Sequence, residues 1–207
     1  MVALDTPVHG VTFVSVDVET TGLDPERDSI VEIGAVKMQG TRVIDEWDTL
    51  VYVDRTIPLQ ARRVHGIGNE MLVGKPRIGE AMTMLLEFAE GGTLVEHSSN
   101  AFDVLFLEKA HGRPIEAPYV NTCMLSRRLF PHIPRHSLDE CCKRFAIVNE
   151  SRSGGGQHRA LSDARATALL LAKLLDLCSP RYPRLSDLVG ACSVERAARP
   201  RRHRSRR

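Results

Sequence analysis

Asp17 and Glu19 stand two residues apart at the end of the β-branched run Val11 to Val18. In a strand, residues i and i+2 share a face, so the two carboxylates point one way while Val14, Val16 and Val18 point the other. Strands are depleted in acids, and neighbouring carboxylates repel unless a cation lies between them, so the pair suggests divalent metal binding. An edge strand with a solvated polar face is the alternative. Asp163 gives a second, independent signal. At about 100° per residue, Ser162, Arg165, Lys173 and Asp176 form a polar stripe, while Leu161, Ala164, Ala168, Leu171 and Leu175 line a core face. Asp163 falls instead with Thr167, Leu170 and Leu174 on a second apolar side, where an unpaired charge is costly. A salt bridge to an arginine is the other account. His158, taken alone, reads as a surface or capping residue. Asp103, in the first turn of a helix, is favoured by the macrodipole without any function.

The elements that must position these residues follow from local pattern. Val11 to Val18 reads as a strand that ends in a turn over Thr20 to Pro25. Ile30 to Met38 and Arg42 to Val53 read as two more strands with Gly40 as the hairpin signal, so an antiparallel three-strand meander is expected. Helices follow at Gly79 to Glu90, Phe102 to His111, Cys123 to Phe130, Ser137 to Phe145 and Arg159 to Cys178, the last stopped by Pro180. Short strands are expected at Thr93 to Glu96 and Tyr119 to Thr122, and a mobile glycine loop at Asn149 to Gln157. The fold class is α/β, a mixed sheet flanked by helices. Residues 1–180 are expected to form one domain and 181–207 a basic, disordered tail.

Composition bounds the rest. The chain has 207 residues with 43% hydrophobic and 26% charged side chains, which excludes wholly disordered, collagen-like and coiled-coil classes. No apolar stretch approaches the roughly 18 residues a membrane span needs, and no secretory leader is expected. Of 28 basic residues, seven are arginines between Arg196 and Arg207, leaving 21 against 26 acids in the first 195 residues. An acidic body with a cationic tail points to metal cations at the body and polyanions at the tail, or else to a solvated end that aids solubility. Five cysteines, including the neighbours Cys141 and Cys142, suggest reduced thiols and a cytoplasmic location. A zinc site from His132, His136, Cys141 and Cys142 is disfavoured because adjacent cysteines lack the usual spacer, and a helix burying one Cys is the better account.

Taken together, Asp17-Val18-Glu19-Thr20-Thr21-Gly22-Leu23-Asp24-Pro25, Asn100-Ala101-Phe102-Asp103 and His158-Arg159-Ala160-Leu161-Ser162-Asp163 resemble the three motifs of the DnaQ-like 3′-to-5′ exonucleases of the DEDDh type, the family of the proofreading epsilon subunit of bacterial DNA polymerase III. Val64-His65-Gly66-Ile67 and Arg135-His136-Ser137-Leu138-Asp139 also look like family segments. The tyrosine variant of the superfamily would carry Tyr where Arg159 stands. The family usually has Asn four residues before the second-motif Asp; here that place is Ser99, and Asn100 comes one residue later.

The resemblance implies an RNase H-like fold and two Mg²⁺ or Mn²⁺ ions held by Asp17, Glu19, Asp103 and Asp163, with His158 as general base. Residue chemistry agrees, because four acids from separate segments relieve their repulsion only through shared cations. It also implies a 3′-terminal nucleotide bound by Thr20, Gly22, Leu23, His65, Asn100 and Phe102. Turn formation by Thr20 and Gly22, and core packing by Leu23 and Phe102, are the competing readings. Ten aromatic residues without an aromatic-basic repeat make a long stacking platform unlikely to form, so contact with a few terminal nucleotides is expected. Nucleic acid 3′ ends, single-stranded DNA foremost, are the expected partners, with a DNA polymerase or clamp beside them and no membrane. An RNA 3′-exonuclease and a polymerase-associated binding subunit are the rival readings.

Overall fold

The computed structural model describes residues 2–150 and 158–192. Strands β1 (Thr12–Thr20), β2 (Ile30–Gln39) and β3 (Arg42–Leu50) form the expected antiparallel meander, with Gly40 at φ +58° in the turn between β2 and β3. Strands β4 (Thr93–Glu96) and β5 (Tyr119–Asn121) pair in parallel on the other side of β1, giving the order β3-β2-β1-β4-β5. β1 is therefore central, which overturns the edge-strand alternative for Asp17 and Glu19. β3 stops at Leu50 rather than Val53 because the chain leaves the sheet: the amide of Tyr52 donates to Pro76 O at 2.9 Å.

Seven α-helices complete the described fold: α1 (Leu59–His65), α2 (Ile78–Phe88), α3 (Phe102–His111), α4 (Thr122–Leu129), α5 (Leu138–Phe145), α6 (Ala160–Cys178) and α7 (Leu185–Cys192). Val14, Val16 and Val18 of β1 pack with Ala81, Met82 and Leu85 of α2 and with Phe106 and Leu107 of α3. The opposite face of β1 meets α6, where Ser15 Oγ donates to Ala164 O at 2.7 Å. On α6 the two apolar sides are both covered: Ala164, Ala168, Leu171 and Leu175 are buried, and so are Asp163, Thr167, Leu170 and Leu174. The helix is sandwiched between the sheet and α4 and α5, so it needs two apolar faces.

Gly34 lets α6 come this close. It lies opposite Asp17 in the ladder, and a Cβ there would sit 2.3 Å from the backbone nitrogen of Leu161. The first turn of α6 therefore rests directly on β2, beside the end of β1.

Three expectations need correction. Residues 181–192 are not a tail: Leu185, Leu188 and Cys192 of α7 are fully buried, and α7 packs on α4 and β5. The helix-period spacing of Leu185, Leu188 and Ala191 covers an otherwise open end of the sheet. Residues 193–207, which carry the seven arginines, lie outside the described residues. The expected loop of 149–157 also begins too early, since Asn149 is buried and hydrogen-bonded; residues 151–157 lie outside the described ones. Finally, Cys141 and Cys142 are both buried rather than one, and both His136 nitrogens are engaged, with Ser126 Oγ and Ile133 O at 2.8 Å each. The helix α1 was not foreseen; it starts after Pro58 and ends at Gly66, which is left-handed at φ 71°.

All five cysteines are buried, and burial pushes the Cys178 thiol up to about 11 and Cys192 to about 12. Gly34→Ala should force α6 off the sheet, because the clash is with backbone and cannot be relieved by a rotamer. Overpacking of this kind costs about 1–3 kcal/mol. The expected result is a lower melting temperature together with lost nuclease activity; a variant that melts and cuts like the wild type would show that the close approach is not needed.

Candidate active site

β1 pairs with β4 only from Phe13 to Ser15, so its last residues border a cavity instead of a neighbouring strand on that side. The cavity has a volume of about 610 Å³ and takes its floor from Asp17, Glu19, Asp103, His158 and Asp163. Glu19 comes from β1, and the first turn of α6 supplies Asp163 with His158 just before it. One ligand atom from each of Glu19, His158 and Asp163 can be chosen so that all lie within 4.8 Å of one another. His158 Nδ1 is 3.9 Å from Asp163 Oδ2. This is the one such group among the described residues. Its donors are carboxylate oxygens and one imidazole, with Asp17 and Asp103 in the same cavity, a set that fits a hard divalent cation such as Mg²⁺ or Mn²⁺.

Two of the acids, Asp163 and Asp103, are held by hydrogen bonds. Asp163 Oδ1 accepts from Asn149 Nδ2 at 2.6 Å, which leaves Oδ2 as the oxygen nearer His158. Among the described residues, Asp163 thus has an amide as a partner. Asp103 Oδ1 accepts from the Val18 amide at 3.1 Å, and Asp103 lies in the first turn of α3, where the helix dipole favours an anion. Burial, then the carboxylates of Glu96 and Glu19, push its pKa well above the usual range. A bound divalent cation would reverse that direction.

Glu96, fully buried at the end of β4, is part of the same arrangement. Its carboxylate accepts from Tyr119 Oη and Ser98 Oγ at 2.6 Å each and from the Val104 amide at 3.0 Å. The last bond caps α3, whose own N-cap residue, Ala101, offers no side-chain cap. Burial and Glu96 together hold the Tyr119 phenol above its ordinary range.

Thr20, Gly22, Leu23, His65 and Phe102 line the cavity wall, joined by Pro58, Gln60, Ala61 and Val64 from α1 and the turn before it. Leu23 is 84% exposed, so it is not a core residue. Phe102 does both jobs, lining the wall while its ring packs on Phe106 at 4.8 Å between centroids. Thr20 Oγ1 donates to Gly22 O, and a Cβ on Gly22 would strike the Asp28 carboxylate, so the turn reading of both residues also holds. His65 is buried and its Nδ1 accepts from the Ile67 amide at 3.0 Å, which places the ring proton on Nε2. Burial holds its pKa below the ordinary histidine value, against the opposing pull of the Thr20 backbone.

Asn100 is the exception. It is exposed and outside the cavity lining, where His97 and Ser98 stand instead. The reason is local: Ala101 takes the left-handed conformation, φ 59°, and the segment from β4 to α3 turns there with Ser99 and Asn100 on its outer side. Glu32, Glu96, Asn149 and His97 escaped the sequence reading. For Glu32 and Glu96 the signal was present, an acid inside an apolar strand, the same rule that singled out Asp17 and Glu19.

A mixed sheet with acids converging at the end of its central strand defines a metal-dependent nuclease class, and relatives agree. The exonuclease family RNase_T matches residues 14–171. The chain is 34% identical over 169 residues to the DNA polymerase III subunit epsilon of Aquifex aeolicus, covering 80% of this chain and 81% of that one. It is 37% identical over 177 residues to the PolC-type DNA polymerase III of Thermotoga maritima, covering 84% of this chain but only 12% of that much longer protein. A solved structure, exonuclease X in complex with 5′ overhanging duplex DNA, superposes with a TM-score of 0.70 at 28% identity, covering 86% of this chain and 99% of that one. The chain belongs to this exonuclease family: it carries a nuclease hydrolase domain of RNase H-like fold, in a family that depends on divalent metal. No helix among the described residues is long and apolar enough to cross a membrane.

Hydrogen bonds to a metal-ligating carboxylate are worth about 10- to 100-fold in metal affinity or activity. Asn149→Ala should therefore weaken Mn²⁺ binding within that range, measured by calorimetry, while far-UV circular dichroism stays native. Unchanged Mn²⁺ affinity would mean that Asp163 needs no help from Asn149.

Proposed function

We propose that this chain removes nucleoside monophosphates one at a time from the 3′ end of DNA, preferring single-stranded ends. The observation that carries this reading is the convergence of Glu19, His158 and Asp163 in one cavity whose lining includes the exposed Leu23. The cavity admits a chain end, and the ten aromatic residues provide no long platform for strand binding. The DNA-bound exonuclease X likeness and the polymerase III relatives favour DNA over RNA.

In this reading Asp17, Glu19, Asp103 and Asp163 hold two Mg²⁺ or Mn²⁺ ions. When bound, the ions neutralise phosphate charge and lower the pKa of a coordinated water. His158, partly exposed beside Asp163, takes the proton of the attacking water at a ring nitrogen, and near neutral pH an imidazole is suited to that transfer. Attack at phosphorus breaks the bond to the 3′ oxygen of the penultimate nucleotide, releasing the terminal nucleoside 5′-monophosphate. Leu23 and Phe102 hold the terminal base from its apolar side, and His65 and the backbone at Thr20 and Gly22 supply polar contacts. A replicative DNA polymerase in the cytoplasm is the setting that the polymerase III relatives suggest.

Digestion of matched 3′-labelled single-stranded DNA, duplex DNA and RNA should show mononucleotide release, fastest from single-stranded DNA and only with Mg²⁺ or Mn²⁺. Asp17→Ala should fold and be inactive, and His158→Ala should cut about 10²- to 10⁴-fold more slowly while binding metal normally. Faster release from RNA would replace the substrate, and undiminished turnover in excess chelator would refute the metal assignment. The seven arginines from Arg196 onward give a separate expectation. Deleting residues 196–207 should flatten the dependence of log affinity on log salt by at most about 5 on a single strand, at roughly 0.7 per phosphate, and leave the rate at saturating DNA unchanged. An unaltered salt slope would make the segment a solubility or partner-binding element.

A further inference from the structure

Glu32 sits on β2 directly opposite Glu19 but does not line the cavity. Its side chain is 1% exposed, and its carboxylate is filled by the α6 terminus. Arg159 Nε donates to Oε1 at 3.0 Å and Nη2 to the same oxygen at 2.6 Å, while the amide of Ala160 donates to Oε2 at 3.0 Å. Ala160 is the first residue of α6, whose N-cap residue, Arg159, makes no side-chain cap of its own. A strand carboxylate thus does the capping, and a bidentate guanidinium fixes its direction.

His158 is the residue before this clamp, and its own amide donates to Val64 O at 2.9 Å. Its backbone is consequently held on both sides, by α1 and by β2, while the ring itself is 39% exposed. Glu32 is buried while Arg159 is 44% exposed, so the guanidinium covers a carboxylate that would otherwise stand unpaired at the start of α6.

We propose that the Glu32–Arg159 pair is a positioning device for His158, holding the imidazole where it can accept the proton of the attacking water. The inference rests on the reading of His158 as proton acceptor. Arg159 is neither in the cavity lining nor in the Glu19, His158 and Asp163 group, and although Glu19 lies within reach of its charge, the proposed effect runs through the chain direction at His158. A displacement of about 1 Å in a reacting group can cost 10²-fold in rate, so an effect of 10- to 100-fold is expected.

The test is a double-mutant comparison on the 207-residue chain with 3′-labelled single-stranded DNA and Mn²⁺. Arg159→Ala should lower kcat 10- to 100-fold with KM within about twofold of wild type, and Arg159→Lys should recover part of the loss. In a His158→Ala background, Arg159→Ala should add no further loss, because residues that act as one unit are not additive. Glu32→Gln, which keeps an acceptor for the Ala160 amide, should repeat the pattern and serves if Arg159→Ala does not fold. Equal losses in both backgrounds, or a fall in melting temperature with kcat intact, would overturn the positioning role while leaving His158 as proton acceptor. An unchanged kcat in His158→Ala itself would remove that reading and this one with it.

Discussion

The structure depends on bringing like charges together at one end of its central strand. Asp17 and Glu19 arrive on β1, Asp103 on α3 and Asp163 on α6, while Glu32 and Glu96 stand behind them in β2 and β4. In a low-dielectric setting such crowding opposes folding; burial foremost, and then the carboxylates of Glu96 and Glu19, raise the pKa of Asp103. The chain answers with donors placed around the cluster. Two helix N-terminal turns face it, the amides of Val18, Val104 and Ala160 each donate to a carboxylate, and Asn149 and Arg159 supply side-chain donors. These bonds fix where the acids point. They do not remove the net negative charge that remains toward the cavity, and a divalent cation does.

Much of the fold follows from that requirement. β1 is central because β2 and β4 pair with its two edges, and its faces are covered by α2 and α3 on the valine side and by α6 on the other. Gly34 is a glycine because α6 must lie against β2 for Asp163 and Arg159 to reach the end of the sheet. α7 covers the β5 side far from the site, so its contribution is to the stability of the domain rather than to the chemistry.

The meander, the long helix and three of the five cavity residues, Asp17, Glu19 and Asp163, were legible in the sequence because each leaves a local mark, whereas Asp103 and His158 were reached only through the resemblance to the family motifs. Period-two runs mark β1 and β2, and an acid off the polar stripe of α6 marks Asp163. What was not legible depends on contacts between distant segments. Asn149 looks like loop until Asp163 is seen beside it, and Arg159 looks like a solvated charge until Glu32, on a strand 127 residues away, is placed against it. The displacement of Asn100 follows from a left-handed alanine, a backbone choice that residue type does not advertise. α7 was lost because its eight residues precede an arginine-rich segment whose composition suggested a tail.

The central claim is that the acid cluster is an electrostatic conflict that a divalent cation resolves, and melting temperatures with and without metal test it most directly. Asp103→Asn keeps the shape of the side chain and its acceptor for the Val18 amide while removing the ionisable group. In chelator the variant should melt at or above the wild type, since functional charge clusters trade stability for activity. With Mn²⁺ the wild type should gain stability, because a ligand that binds only the folded state stabilises it, and Asp103→Asn should gain less. A variant that is less stable in chelator, with an equal Mn²⁺ gain in both proteins, would contradict the account.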